Sequence, residues 1–180
     1  MTKFIVLLRG INVSGQKKIK MSDLKSLFED LNFTNVQTYI QSGNVIFSAK
    51  EKSNKKVEDK ISSAIKSKFG FDVHVVVVTP EVIEHVIQSN PFLEKKKDAE
   101  KLYVTFLSEN PSAENIKKLN TIDYSPEEYI IDGNYIYLFV PNGYGRAKLN
   151  NNFFESKLKV FATTRNWKTV NQLFELSKIK

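Results

Sequence analysis

The chain has 180 residues, 41% of them hydrophobic, with 27 Lys and Arg against 20 Asp and Glu, and no cysteine. That length suits one large domain or two small ones, and the lack of cysteine excludes disulfides, thiolate zinc sites and a cysteine nucleophile. The apolar run at residues 4–8 is too short for a signal-peptide core, and no run approaches the roughly 20 residues of a spanning helix, so the reading is a soluble cytoplasmic protein without a membrane partner.

Residues 3–9 read as a strand that is apolar on both faces, Phe4, Val6 and Leu8 alternating with Ile5 and Leu7. Such a strand needs cover on both sides, and the second half of the chain is expected to supply what the helices leave open. Ser22 can cap a helix with Leu24, Leu27, Phe28 and Leu31 on one stripe, and the polar residues 32–35 stop it. A hairpin follows, residues 36–41 and 44–48 around Ser42-Gly43. This places Ile40 opposite Val45 and Thr38 opposite Phe47, with Val36, Thr38, Ile40, Val45 and Phe47 inward. A second helix presents Val57, Ile61, Ala64, Ile65 and Phe69, and residues 73–78 form a fourth strand. The order β-α-β-β-α-β is that of a ferredoxin-like plait.

Thr79-Pro80-Glu81 starts another helix, with proline at its first position, and the stretch SNPFLEKKKDAEK beyond it reads as an interdomain linker. Subdomains at residues 1–95 and 96–180 follow from that. The second contains a strand at 102–107, a helix at 112–119 and a hairpin around Asp132-Gly133. Tyr129, Ile131, Ile136, Leu138 and Val140 share one face of the hairpin, and Ile130, Tyr135, Tyr137 and Phe139 the other. A short helix beginning among Asn150, Asn151 and Asn152 and a helical tail over about 166–178 complete it. The fold class is α+β, two ferredoxin-like subdomains with mostly antiparallel sheets, the second modified by its tail.

Charge is unevenly placed. Residues 1–20 carry five basic and no acidic side chains, residues 141–180 carry eight and two, and the middle carries 14 and 18. If the ends met they would form a surface that concentrates phosphates, nucleic acid or acidic metabolites; a solvated, solubilising surface explains the same numbers.

The loop RGINVSGQKK follows a strand and has two glycines, Gly10 and Gly15, at P-loop spacing. Gln16 fills the lysine slot and Lys17 the hydroxyl slot, so nucleotide hydrolysis is not expected. A looser anion site of backbone N–H groups with Arg9, Lys17 and Lys18 remains open beside a purely structural turn. In GYGRAK, Arg146 and Lys148 precede a helix start, and in TTRNW Arg165 could grip a phosphate or carboxylate while Trp167 stacks on a base. Equally, Thr164 or Asn166 caps the last helix, Trp167 fills the core and Arg165 pairs with an acid. The aromatic pattern of an RNA-recognition sheet is absent from SGNVIFS, whose Phe47 points inward. The row Tyr135, Tyr137, Phe139 lacks interleaved basic residues. His74 and His85 lack metal-ligand spacing, Glu127-Glu128 reads as a solvated pair, and no serine sits in a nucleophile elbow.

The strings FIVLLRGINVSG, TYIQSGNVIF and GYGRAKLNNNFFESKLKVFATTRNWKTV, together and in this order, resemble the bacterial family catalogued as domain of unknown function 1697. The resemblance implies a two-subdomain α/β protein with plait-like halves, and no established activity, substrate or cofactor. Ser14 stands where many relatives of that family have glycine.

The leading expectation is a non-enzymatic, monomeric binding protein without cofactor or metal. It would hold a nucleotide or nucleic acid in a basic interdomain groove of Arg9, Asn12, Lys18, Gln41, Asn44, Arg146, Lys148 and Arg165. The alternatives are an enzyme acting on a phosphorylated or acidic metabolite, and a protein-interaction module with no small ligand.

Overall fold

Residues Thr2–Leu8 form β1, and the place of this strand explains its composition. In the computed structural model, which describes residues 1–179, β1 lies between β3 (Asn44–Ala49) and β4 (Val75–Val78), with β2 (Thr34–Tyr39) outside β3. All three pairings are antiparallel. On one face Phe4, Val6, Leu8, Val45, Phe47, Val75 and Val77 share a core with residues of α1 (Met21–Asp30) and α2 (Asn54–Phe69). There Phe4, Phe28 and Phe33 surround Phe47 at ring-centroid distances of 5.7, 5.2 and 4.4 Å. Ile5 and Leu7, on the opposite face, are also 0% exposed, as apolarity on both sides requires.

The second half repeats this strand order. After α3 (Pro80–Gln88) and the short α4 (Pro91–Glu94) come β5 (Leu102–Leu107), α5 (Ala113–Leu119), β6 (Glu128–Asp132), β7 (Tyr135–Phe139), α6 (Asn151–Leu158), β8 (Ala162–Asn166) and α7 (Trp167–Lys178). The sheet runs β6-β7-β5-β8 and is antiparallel throughout. Two compact units result, one of Met1–Glu84 with Gln172–Lys180 and one of His85–Asn171. Within the first, Lys3 Nζ donates to the carbonyls of Ser177 and Ile179, both at 2.7 Å, and so fixes the C-terminal stretch to β1.

In both units a helix glutamate occupies a backbone N–H of one edge strand. On β4 the Val77 N–H donates to Glu58 Oε1 at 3.0 Å, and the Val77 carbonyl accepts from Asn54 Nδ2 at 3.1 Å. On β8 the Ala162 N–H donates to Glu155 Oε1 at 3.1 Å, and the Thr164 hydroxyl donates to Asn151 Oδ1 at 2.7 Å. Asn and Glu are the first and fifth residues of α2 and α6 alike. Side chains that occupy edge groups prevent another strand from pairing there.

Several expectations need correction. Ser22 lies inside α1, whose preceding residue Lys20 provides no side-chain cap. Thr38 pairs with Val45 and Tyr39 with Asn44, which leaves residues 40–43 as a four-residue loop and Ile40 47% exposed at φ +50°. Asp132 pairs with Tyr135, so Gly133-Asn134 is the second hairpin loop. Each slip is two residues, which takes Ile40 off the sheet but leaves the faces of the residues still in the strands intact, because side chains alternate with period two. The presumed linker is structured: Asn90 caps α4 through Phe92 N–H, and Phe92 is fully buried. Of residues 163–167, read as a helix start, 163–166 belong to β8, the fourth strand of the second sheet, and Trp167 opens α7.

Candidate functional site

The loop after β1 folds back on itself before α1 begins. Val13 and Gln16 form an isolated antiparallel bridge, with Gln16 N–H donating to Val13 at 2.9 Å and Asn12 N–H to Lys17 at 3.2 Å. Between them Ser14 and Gly15 take φ +50° and +74°, the paired positive values of a tight hairpin turn. Ser14 adopts here a conformation that glycine reaches more readily.

Asn12 ties this loop down. Its Nδ2 donates to the carbonyls of Ile19 at 2.9 Å and Gln41 at 2.8 Å, and its Oδ1 accepts from Ile19 N–H at 2.8 Å. The loop is thereby joined at its base and bound to the β2–β3 connection. Gly43 continues the seam: its carbonyl accepts from Leu8 N–H at 2.9 Å. A Cβ at Gly43 would lie 2.7 Å from Ile11 Cδ1 and 2.8 Å from Leu8 Cβ. Asn44 is buried, its Nδ2 donating to the Tyr39 carbonyl and the Ser42 hydroxyl, each at 3.0 Å.

Beside the seam lies an open cavity of about 410 Å³ lined by Asn12, Lys18, Ile19, Lys20, Asp23, Gln41 and Phe69. Lys18 and Lys20 are exposed, while Lys17 reaches away to the Asp72 carbonyl at 2.7 Å. The first turn of α1 opens here without a side-chain cap, and Asp23 is its acidic residue. Two ammonium groups and the positive end of the helix favour an anion; Asp23 opposes them with one negative charge. Sequence reasoning had no signal for Lys20 and Asp23, because nothing local says that the loop folds back over the helix start. Arg9 is half-buried and its backbone N–H donates to His74.

Arg146, Lys148 and Arg165 belong to the second unit. Arg146 and Lys148 are exposed on a segment held by Glu127, whose carboxylate accepts from the N–H groups of Lys148 and Leu149, both at 2.9 Å. Glu127 is thus a buried structural acceptor, not half of a solvated pair, while Glu128 meets Lys97 at 2.6 Å. Asn150 caps α6 through Phe153 N–H. Arg165 is 6% exposed on β8, its Nη1 donating to Thr163 Oγ1 at 2.8 Å and to the Thr164 carbonyl at 2.9 Å. Asn166 caps α7 by accepting from Thr169 N–H at 2.7 Å, and Trp167 is 9% exposed.

The aromatic row of β7 is not an open platform. Within the unit His85 approaches Tyr135 at 6.3 Å, Phe92 approaches Phe139 at 6.4 Å, and Lys97 Nζ stands 4.4 Å over the Phe139 ring. Tyr137 is 1% exposed, and burial pushes its phenol up to about 12. No group of three or more His, Asp or Glu among the described residues is placed to hold a metal ion, and no helix among them is long and apolar enough to cross a membrane.

Two βαββαβ units, each with an antiparallel sheet in the same strand order, and a folded-back basic loop after the first strand define the class: an α+β protein with a repeated architecture. The chain belongs to the family described as protein of unknown function (DUF1697), whose model matches residues 1–137. It is similar in fold to a conserved bacterial protein, SP0830 from Streptococcus pneumoniae. The TM-score is 0.78 and the identity 21%, over 98% of each chain. A search of curated proteins finds no match.

Proposed function

We propose that the protein is a non-enzymatic binding protein for an anionic ligand, a nucleotide or nucleic acid, contacted in the first unit by the loop that Asn12 clasps. What supports the reading is one observation: Asn12 uses its whole side-chain amide to fix the loop at Ile19 and Gln41, which holds the exposed Lys18 and Lys20 at the uncapped start of α1. Of the five basic residues through position 20, Lys3 and Lys17 bond backbone carbonyls, whereas Lys18 and Lys20 line the cavity. Arg9 is the further cation of this segment, and Arg146, Lys148 and Arg165 are the candidates in the second unit. Phosphate contacts supply affinity that depends on salt.

The test is binding of a fluorescent single-stranded oligonucleotide and of tripolyphosphate at low salt, by wild type and by Lys18→Ala/Lys20→Ala. The expected result is weaker binding by the variant and a smaller loss of affinity with added salt. Equal affinity and equal salt dependence would contradict the reading, as would no binding by wild type.

A further inference from the structure

In the second unit the junction of β8 with α7 and the start of β5 line an open cavity of about 280 Å³, bounded by Ala99, Glu100, Tyr103, Asn166, Trp167 and Lys168. Strand register sets Tyr103 beside Asn166. The Tyr103 ring is backed by Tyr144, with centroids 5.1 Å apart and planes 30° apart, which holds it as a wall. Trp167, the first residue of α7, lines the cavity with the 9% of its surface that is exposed. Asn166 Oδ1 is taken by the Thr169 N–H, so its amide NH2 is the group left to donate. Glu100 and Lys168 are exposed at the rim.

We propose that this cavity binds a planar nitrogen heterocycle of the nucleobase class. The volume is large enough for a single ring system. The Tyr103 ring, beside the exposed part of Trp167, favours a flat π-face. The rim offers one acceptor, the Glu100 carboxylate, and two donors, the Lys168 ammonium and the Asn166 amide. That set suits a ring edge carrying both donors and acceptors; a hydrocarbon would leave these groups unused, and a ligand acidic at that edge would meet Glu100. The proposal stands apart from the anion reading of the first unit, because it requires no phosphate.

Trp167 is the only tryptophan of the chain, so its emission reports on this cavity. The experiment titrates the full chain with the uncharged nucleosides adenosine, guanosine, cytidine and uridine, correcting for ligand absorbance. At least one nucleoside should give saturable quenching. Its apparent Kd should weaken tenfold or more in Tyr103→Leu and stay near wild type in Tyr103→Phe, where the ring is kept. Glu100→Gln and Lys168→Ala, both at exposed positions, should change the order of preference among the four nucleosides and would decide the matter if Tyr103→Leu failed to fold. Absence of a saturable response to all four would overturn the proposal, as would affinities that none of the variants alters.

Discussion

Asn12 donates its amide to the carbonyl of Gln41 at 2.8 Å, joining two loops that lie 29 residues apart in the chain. Together with its two bonds to Ile19, this makes one side chain the fastener of the candidate site. Asn12 also sits at φ +55°, a left-handed conformation that asparagine tolerates better than most residues.

Asn12→Gly and Asn12→Ala separate the two roles. Glycine permits the backbone and removes the bonds, which are part-buried or exposed, so it should cost about 0.5–1.5 kcal/mol, the net worth of a typical hydrogen bond. Alanine should cost roughly 1 kcal/mol more because of the positive φ. Urea denaturation of both variants checks this; equal midpoints for the two would show that the backbone conformation carries no strain.

Gly43→Ala should be damaging through both its φ and a steric clash. Its φ is +78°, and the added methyl would meet Ile11 Cδ1 at 2.7 Å and Leu8 Cβ at 2.8 Å. Ile11 can swing its side-chain end away, but the Leu8 Cβ is fixed to β1. A loss of at least about 2 kcal/mol is expected. Adding Ile11→Val should recover only part of it; full recovery would mean that the contact with Leu8 does not matter.

Much of this architecture was legible in the sequence because the apolar periodicity was strong. Leu24, Leu27 and Phe28 are buried on α1, and Val57, Ile61 and Ile65 on α2, as their spacing says. The hairpins were legible by face but not by pairing. Ile40 looks like a strand residue by type, yet it enters the loop, and a shift of two residues moves no side chain to the other face. β8 was hidden for a different reason. Its inward Thr164 bonds the Thr105 hydroxyl at 2.7 Å as well as Asn151, so the strand meets a polar ladder and lacks the apolar alternation that marks a strand. The Asn12 clasp was illegible, since it depends on the fold-back of residues 13–16.

Glu58 provides a pH signature. Burial raises its carboxyl above the usual value, more than the bond from Val77 N–H lowers it. A carboxyl whose folded value is raised binds its proton more tightly when folded, so its contribution is most favourable below about 4.5 and is lost as pH rises through the folded value. Glu58→Gln removes the titration and can keep an acceptor for Val77. Its stability relative to wild type should therefore improve between pH 4 and pH 7, measured by urea unfolding at both; a change in the opposite direction would contradict the burial of this group.

The Tyr137 hydroxyl is buried with no hydrogen-bond partner among the described residues. Removing a buried, unpaired donor costs nothing in bonds, so Tyr137→Phe should leave stability unchanged or raise it by about 1 kcal/mol. A thermal melt showing marked destabilisation would reveal a bond to this oxygen.

The anion reading is tested most directly by following backbone amide resonances of the isotope-labelled chain as tripolyphosphate is added at low salt. The account predicts saturable shifts concentrated in residues 9–20 and 41–44, strongest near Lys18, Lys20 and the first turn of α1, and reversed by added salt. Saturable shifts that leave these residues unmoved, or none anywhere in the chain, would contradict it.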